Sequence, residues 1–181
     1  MPHDPFRPQL GSPHHHAYVV DDIEATVNRL VGQLGAGPFF LIEKVPLENL
    51  LSRGEPAEFV HNSAFGRCGD GTIELIETIG LAPKRVEEAF SLPRPGLHHV
   101  GYVVPAAEVA DVRDSFDRRG LPQYLSAQLG ETENTFHDAS ASLGHDIEIH
   151  LDCQGLRDFF GMVSAGADGW DGSEPLRPVE S

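Results

Sequence analysis

The sequence predicts an α+β fold in which two copies of a β-α-β-β-β module pair to form one curved mixed sheet. The first observation is a repeat, since residues 14–20 read HHHAYVV and residues 98–104 read HHVGYVV. The second is the amphipathic helical pattern that follows each copy and ends at Gly35 or at Gly120. The third is that both halves end with a strand-like run that contains an Ile-Glu pair. Self-similarity of this kind indicates a duplicated structural unit.

The first module is predicted over residues 14–80, after a flexible arm at 1–13 that is rich in proline. Its first strand covers 14–20, and Asp21 or Asp22 provides the side-chain oxygen that caps the following helix. The apolar side chains of that helix recur at helical period, at Ile23, Val27, Leu30, Val31 and Leu34. The next elements are a strand at 39–45, a loop at 46–56 with a short helix at 47–51, and strands at 57–68 and 72–78.

The second module is predicted over residues 97–152, after a linker at 81–96 that contains a helix at 84–90. Its elements are a strand at 97–104, a helix with Val109, Val112 and Phe116 on one face, and strands at 123–127, 134–139 and 146–152. Residues 153–181 are predicted as a short helix at 156–163 and a mobile acidic tail, because the composition from Ser164 onward is poor in side chains that could pack in a core.

Composition argues against several classes of function. The chain has 13 Lys and Arg against 28 Asp and Glu, and its net charge of −15 disfavours nucleic acid and anionic membrane surfaces as partners. No apolar run is long enough to span a bilayer, and residues 1–7 lack the apolar core of a signal peptide. Cys68 and Cys153 have no motif spacing, so a disulfide framework is not expected. We therefore expect a cytoplasmic protein.

Four side chains with metal-binding chemistry occupy equivalent places in the two modules. His15 and His99 lie on the first strands, and Glu74 and Glu148 lie on the last. If the modules pair about a pseudo-twofold axis, these strands form one sheet and the four side chains converge inside it. Two imidazoles and two carboxylates form a donor set suited to a divalent ion of Zn, Ni, Co, Mn or Fe. A core does not bury such charges without a compensating ion or partner.

Three further side chains are candidates for a pocket wall or for supporting contacts, with a place in the plain core as the alternative for Phe136. His150 lies two residues after Glu148 and so shares its strand face, where it can line the cavity or orient a ligand. His61 and Phe136 are candidates for the wall of a pocket.

Several other side chains leave alternatives open. Glu77 has the opposite parity to Glu74 along the same strand and could be the inward carboxylate in its place. His14, His16 and His98 are expected to point outward or to support the ligands rather than to bind an ion themselves.

The pattern resembles the vicinal oxygen chelate superfamily, in particular its glyoxalase I and methylmalonyl-CoA epimerase branch. The resemblance covers residues 14–152 and rests on HHAYVVDD at 15–22, IELIE at 73–77, LHHVGYVV at 97–104 and IEI at 147–149. In that superfamily each paired module supplies one metal ligand from its first strand and one from its last, which implies the four ligands His15, Glu74, His99 and Glu148. The epimerases often have Gln where Glu74 stands, whereas glyoxalase I has Glu. The resemblance also implies a homodimer and a small-molecule substrate.

The activity implied by this resemblance is that of a metal-dependent isomerase, epimerase or lyase, which removes a proton next to a carbonyl through a metal-stabilised enediolate. Glu148 or Glu74 would leave the metal to act as the base, with Glu43 a weaker candidate from outside the ligand set. An Fe(II)-dependent extradiol-type dioxygenase is one alternative, but it needs two His and one carboxylate with open positions, so Glu74 as a fourth ligand argues against it. A non-catalytic, resistance-type binding protein of the same fold is another, and the intact ligand set argues against that.

Overall fold

The computed structural model describes residues 10–90 and 96–179 of the chain. These residues form eleven strands and five helices. The strands are β1 (His15–Val19), β2 (Phe39–Ile42), β3 (Glu48–Ser52), β4 (Glu55–Pro56), β5 (Glu58–Cys68), β6 (Gly71–Ala82), β7 (Gly96–Val104), β8 (Gln123–Leu129), β9 (Thr132–His137), β10 (Asp146–Leu151) and β11 (Leu176–Pro178). The helices are α1 (Ile23–Leu34), α2 (Lys84–Phe90), α3 (Val109–Arg118), α4 (Ser140–Leu143) and α5 (Gln154–Ala167). Most of the predicted arm, part of the predicted linker and the last two residues lie outside the described residues.

These eleven strands form one curved, unclosed sheet in the order β11-β2-β5-β6-β1-β7-β10-β9-β8-β3-β4. In each module the first strand runs parallel to the last, β1 beside β6 and β7 beside β10. The two modules meet where β1 and β7 pair antiparallel. The strand order is therefore the same on both sides of this junction, and the predicted α+β fold with paired modules in a mixed sheet is confirmed.

Helix α1 begins and ends where its local sequence predicts. Asp22 Oδ1 accepts a hydrogen bond from the N–H of Ala25 at 2.8 Å, which satisfies a free amide of the first turn. Gly35 ends the helix with φ at 64°, a left-handed conformation that is least costly for a residue without a Cβ. Ile23 and Val27 are buried against the sheet, so the predicted apolar stripe is the face that packs.

The short helix that the sequence predicted at 47–51 is wrong, because strand β3 occupies this segment. β3 pairs antiparallel with β8 of the other module, and β4 pairs antiparallel with β3. Ser52 Oγ donates a hydrogen bond to the carbonyl of Tyr124 at 3.1 Å across this junction. The backbone of this segment is thus satisfied by a strand from the other half of the chain, a partner that the local sequence pattern does not contain.

Residues 164–179 carry regular structure where the composition predicted a mobile tail. Helix α5 continues to Ala167, and β11 pairs parallel with β2. Between them, Trp170 lies so close to Gly37 that a Cβ there would stand 2.7 Å from its ring. The indole N–H of Trp170 also donates a hydrogen bond to the carbonyl of Ser173 at 2.7 Å. The contact with Gly37 and the pairing with β2 pack this segment against the first module.

Three apolar clusters form the core of the described chain, and each contains the buried face of one helix, α1, α2 or α3. None of the described helices is both long enough and apolar enough to cross a membrane. The division of the chain into modules at 14–80 and 97–152 stays a prediction, and β6 extends past the first of these boundaries to Ala82.

Candidate metal centre

His15 and His99 are brought together by the pairing of β1 with β7. His15 lies opposite Gly101, and His99 lies opposite Ala17. Both residues are almost fully buried, with 1% of each exposed. The ring of His15 lies directly over Gly101, because a Cβ built at Gly101 would stand 2.0 Å from Cε1 of His15. The glycine in the second copy of the repeat therefore leaves room for the imidazole of the first.

Glu74 and Glu148 approach this pair from the strands on either side, β6 and β10. His15 Nε2 lies 3.3 Å from Glu74 Oε2 and 3.2 Å from Glu148 Oε2. His99 Nε2 lies 3.5 Å and 3.0 Å from the same two oxygens. The two imidazole nitrogens are 3.4 Å apart. The four side chains named as ligands from the sequence therefore converge on one point.

The spacing of these four atoms fits a single divalent ion. All of them lie within 4.8 Å of one another. Ligand atoms held at about 2.0–2.2 Å from one ion, at tetrahedral or octahedral angles, stand roughly 3 to 3.5 Å apart, and the separations between imidazole nitrogens and carboxylate oxygens fall in that range. Two nitrogens and two oxygens suit the transition metals named above better than Ca²⁺ or Mg²⁺, which prefer oxygen alone.

The charges in the cluster also favour a cation. Burial lowers the pKa of both imidazoles, but the carboxylates of Glu148 and Glu74 outweigh burial, so the pKa of His15 is raised and that of His99 reaches about 9. Burial raises the pKa of both carboxyl groups, but the neighbouring imidazoles outweigh it and hold each pKa below its usual range. Protons on the imidazoles therefore balance the two buried carboxylates, and a bound divalent ion would replace those protons.

His98 fixes the tautomer of the neighbouring His99. The Nδ1 atoms of the two rings are 2.9 Å apart, and His98 Nε2 lies 3.1 Å from the carbonyl of Ala89. Burial and the charge of His99 lower the pKa of His98 to about 3, so His98 is neutral and its single N–H donates to Ala89. His98 Nδ1 then accepts a hydrogen bond from His99 Nδ1–H, which leaves the lone pair on His99 Nε2 for a cation. The sequence placed His98 outside the ligand set, and this role follows from the position of α2.

Ser63 orients Glu74, a role that the sequence did not indicate. Its Oγ donates a hydrogen bond to Glu74 Oε1 at 2.7 Å, which leaves Oε2 to face the imidazoles. Glu77, the alternative inward carboxylate, instead accepts hydrogen bonds from Asn62 Nδ2 at 2.9 Å and from the N–H of Ile23 at 3.4 Å. Glu74 is therefore the carboxylate of β6 that faces the cluster.

Two of the predicted neighbours contact the cluster directly. His150 Nε2 lies 2.7 Å from Glu148 Oε2, and its Nδ1 lies 2.9 Å from Asn134 Oδ1. Phe136 stands edge-on to His99, with the ring centroids 5.1 Å apart. Both side chains also line the cavity described below.

The remaining predicted neighbours differ in where they lie. His61 lines the cavity and stacks on Phe59 with ring centroids 3.9 Å apart. Glu43 is exposed and does not line the cavity, so the structure does not bring it to the cluster. His14 packs against Phe160, with ring centroids 4.0 Å apart, rather than joining the four converging side chains.

A cavity of about 530 Å³ adjoins the cluster, and its wall is built by both modules and α5. Glu74, His99 and Glu148 form part of the wall, whereas His15 does not line it. Five phenylalanines supply much of the apolar surface, namely Phe59, Phe65, Phe136, Phe159 and Phe160. The last two come from α5, whose contribution the sequence did not predict. The volume is within the usual range for small-molecule pockets, about 300–1,000 Å³.

Comparison with known proteins agrees with this architecture. A model of the Glyoxalase/Bleomycin resistance protein/Dioxygenase superfamily matches residues 14–127. The chain belongs to this superfamily. The match confirms the resemblance found in the sequence, and it covers the first module, the linker and part of the second. No curated protein matches the chain.

Solved structures share the superfamily fold at low sequence identity. Methylmalonyl-CoA epimerase from Mycobacterium tuberculosis has a TM-score of 0.54 and 12% identity, over 86% of this chain and 97% of that chain. A hypothetical protein from Bacillus halodurans has a TM-score of 0.54 and 18% identity, over 79% and 95% of the two chains. A second methylmalonyl-CoA epimerase structure has a TM-score of 0.50 and 14% identity, over 80% and 97%. These structures show that the fold is that of the superfamily.

Proposed function

We propose that the protein is a metal-dependent isomerase, epimerase or lyase that removes a proton from the carbon next to a carbonyl group. The observation that carries the proposal is the convergence of two imidazoles and two carboxylates at the wall of a small-molecule cavity. The superfamily places enzymes of this type on the same fold, which supports the proposal by analogy.

In this proposal His15, Glu74, His99 and Glu148 hold one divalent ion of Zn, Ni, Co, Mn or Fe. Such an ion supplies Lewis acidity, which stabilises negative charge on the oxygen of a substrate carbonyl when the adjacent proton leaves. His98 and Ser63 keep His99 and Glu74 in orientation, so little reorganisation is required when the substrate binds.

Glu148 is the better candidate for the base among the two glutamates. Glu74 is tethered, because its second oxygen accepts a hydrogen bond from Ser63 at 2.7 Å. Glu148 is flanked by His150, whose Nε2 lies 2.7 Å from the carboxylate and whose ring lines the cavity. We therefore assign proton removal to Glu148, with His150 next to it in the cavity wall, and a ligand role to Glu74.

The cavity supports this chemistry through its apolar wall. Phe65, Phe136 and Phe160 give the space beside the cluster an apolar wall, from which a bound substrate would displace water. Interactions between charges are stronger where water is excluded, so a carboxylate base and a cation there act on the substrate with little screening.

Metal analysis of the purified protein tests the first half of the proposal. The wild-type protein is expected to bind one divalent ion per chain, and the variants His15→Ala and His99→Ala are expected to lose it. His16→Ala is the matched control, because His16 lies on the same strand but is not one of the converging side chains. Full metal content in both ligand variants would remove the proposal.

Proton exchange tests the second half. The metal-loaded protein is incubated in D₂O with 2-hydroxyacetophenone, and deuterium uptake at the carbon next to the carbonyl is followed by NMR. Glu148→Gln is expected to abolish metal-dependent exchange, whereas Glu43→Gln, on an exposed residue away from the cavity, is expected to retain it. Oxygen uptake by the iron-loaded protein with a catechol would instead favour the dioxygenase alternative.

A further inference from the structure

We infer that the substrate is an uncharged, largely apolar carbonyl compound with an aromatic or similarly flat group, rather than a thioester of coenzyme A or another anionic molecule. This inference rests on the proposed function, because it takes the four-residue cluster as the place where the carbonyl binds. It is carried by the composition of the cavity wall, which the proposed reaction does not itself determine.

Away from the four-residue cluster, the wall has no Lys or Arg that could pair with an anionic substrate, among the described residues that line the cavity. The charged side chains that do line it, apart from histidines, are the cluster glutamates Glu74 and Glu148 and a third carboxylate, Glu131. A carboxylate or phosphate placed in the cavity away from the cluster would lose its hydration without gaining an ion pair with Lys or Arg, and it would face the carboxylate of Glu131.

Three neutral polar side chains of the wall already contact other groups of the protein. Ser63 Oγ donates to Glu74, and Thr132 Oγ1 donates to the carbonyl of Leu151 at 2.7 Å. Asn134 Oδ1 lies 2.9 Å from His150 Nδ1. A substrate with many hydroxyl or amide groups would therefore find few partners away from the cluster, and each unpaired group would be costly to bury.

The aromatic side chains of the wall favour an aromatic or other apolar group in the cavity. Phe65 stands perpendicular to Phe159 and to Phe160, with ring centroids 5.1 Å and 5.6 Å apart. Phe136 faces the cavity from the other module and stands edge-on to the ligand candidate His99. Edge-to-face and offset contacts with such rings favour an aromatic group over a flexible polar one.

Three matched probes test the inference by isothermal titration calorimetry on the zinc-loaded protein. They are 2-hydroxyacetophenone, its 4-carboxylate, and the methyl ester of that carboxylate. Only the 4-carboxylate is charged, and its charge lies at the end of the ring far from the chelating oxygens. Propionyl-CoA is the fourth probe. We expect the two neutral probes to bind at least tenfold more tightly than the carboxylate and than propionyl-CoA.

A variant that adds a cation to the wall provides the second arm. Glu131 follows β8 in an exposed turn that lines the cavity, so Glu131→Lys places a positive charge there without disturbing the core. We expect this variant to bind the 4-carboxylate at least tenfold more tightly than the wild-type protein does, with unchanged metal content. Equal or tighter binding of the carboxylate by the wild-type protein, tighter binding of propionyl-CoA, or binding of no probe would overturn the inference.

Proton exchange measured on the same samples separates this inference from the proposed function. Preferential binding of neutral probes without metal-dependent exchange would support the substrate class and contradict the proposed reaction. Metal-dependent exchange on propionyl-CoA but not on the neutral ketone would support the reaction and overturn the substrate class.

Discussion

The contact between Gly101 and His15 gives the sharpest prediction about the cluster. In Gly101→Ala the new Cβ would stand 2.0 Å from Cε1 of His15, whereas carbon atoms in contact are about 3.5–4.0 Å apart. The imidazole must therefore move by about 1.5 Å, and metal–ligand distances tolerate only about 0.2 Å. We expect Gly101→Ala to bind Zn²⁺ about 100-fold or more weakly, since it displaces one of the four donors.

The same substitution should affect the fold much less than the metal. The contact involves the outer end of a side chain, so the strand pair can survive a shift of the ring. Overpacking of this kind typically lowers the free energy of unfolding by about 1–3 kcal/mol. The split between a large loss of metal affinity and a modest loss of stability distinguishes displacement of His15 from general unfolding.

Competition titration against a zinc-chelating dye measures the affinity, and chemical denaturation of the metal-free protein measures the stability. Gly32→Ala in α1 is the matched control, because a Cβ there would have no heavy atom within 4 Å and the helix is expected to be slightly more stable. In Gly101→Ala the His15 ring cannot keep the position that it has in the cluster. If this variant nevertheless bound zinc as tightly as the wild-type protein, the reasoning would be refuted.

Three further predictions concern protonation, the support of His99 and the C-terminal segment. Zinc affinity should rise as the pH increases from 6 towards 9. The reason is that the pKa of both His15 and His99 is raised, to about 9 for His99, and protons compete with the ion below those values. An affinity that does not change over this range in a chelator competition assay would contradict the assignment. His98→Phe should weaken zinc binding by about 10–100-fold through loss of the hydrogen bond that orients His99, while the conservative His98→Gln should recover part of it in the same assay. Trp170→Ala should lower the free energy of unfolding by about 1–3 kcal/mol and increase hydrogen exchange over residues 176–178, with zinc content unchanged; exchange equal to that of the wild type would show that Trp170 does not hold the segment.

Repetition explains why the centre of the fold could be predicted from the sequence. The two copies of the His-containing strand fixed which residues are equivalent, and the alternation of side chains along a strand fixed which of them share a face. His15 and His99, with Glu74 and Glu148, therefore followed from symmetry, and the structure places them within one cluster.

The parts that were missed depend on contacts between distant segments. β3 forms as a strand because β8 pairs with it, and β11 forms because β2 does. Neither pairing has a signal in the segment itself, since short edge strands take their conformation from their partners. Ser63 was missed for the same reason, because its role comes from contact with Glu74 across a strand pair.

The wall of the cavity was predicted only in part. Phe136 and His61 were named from the sequence as candidates for the pocket, and both line the cavity. Phe159 and Phe160 lie on α5, and the helical pattern predicted that element without indicating where it packs. The homodimer and the cytoplasmic location remain predictions.

Anomalous diffraction from a crystal of the cobalt-loaded protein tests the central claim most directly, because it locates the ion and its ligands together. We expect one peak per chain, bonded at about 2.0–2.2 Å to imidazole nitrogens of His15 and His99 and to carboxylate oxygens of Glu74 and Glu148. A peak elsewhere in the chain, or one bonded to residues of a single module, would contradict it.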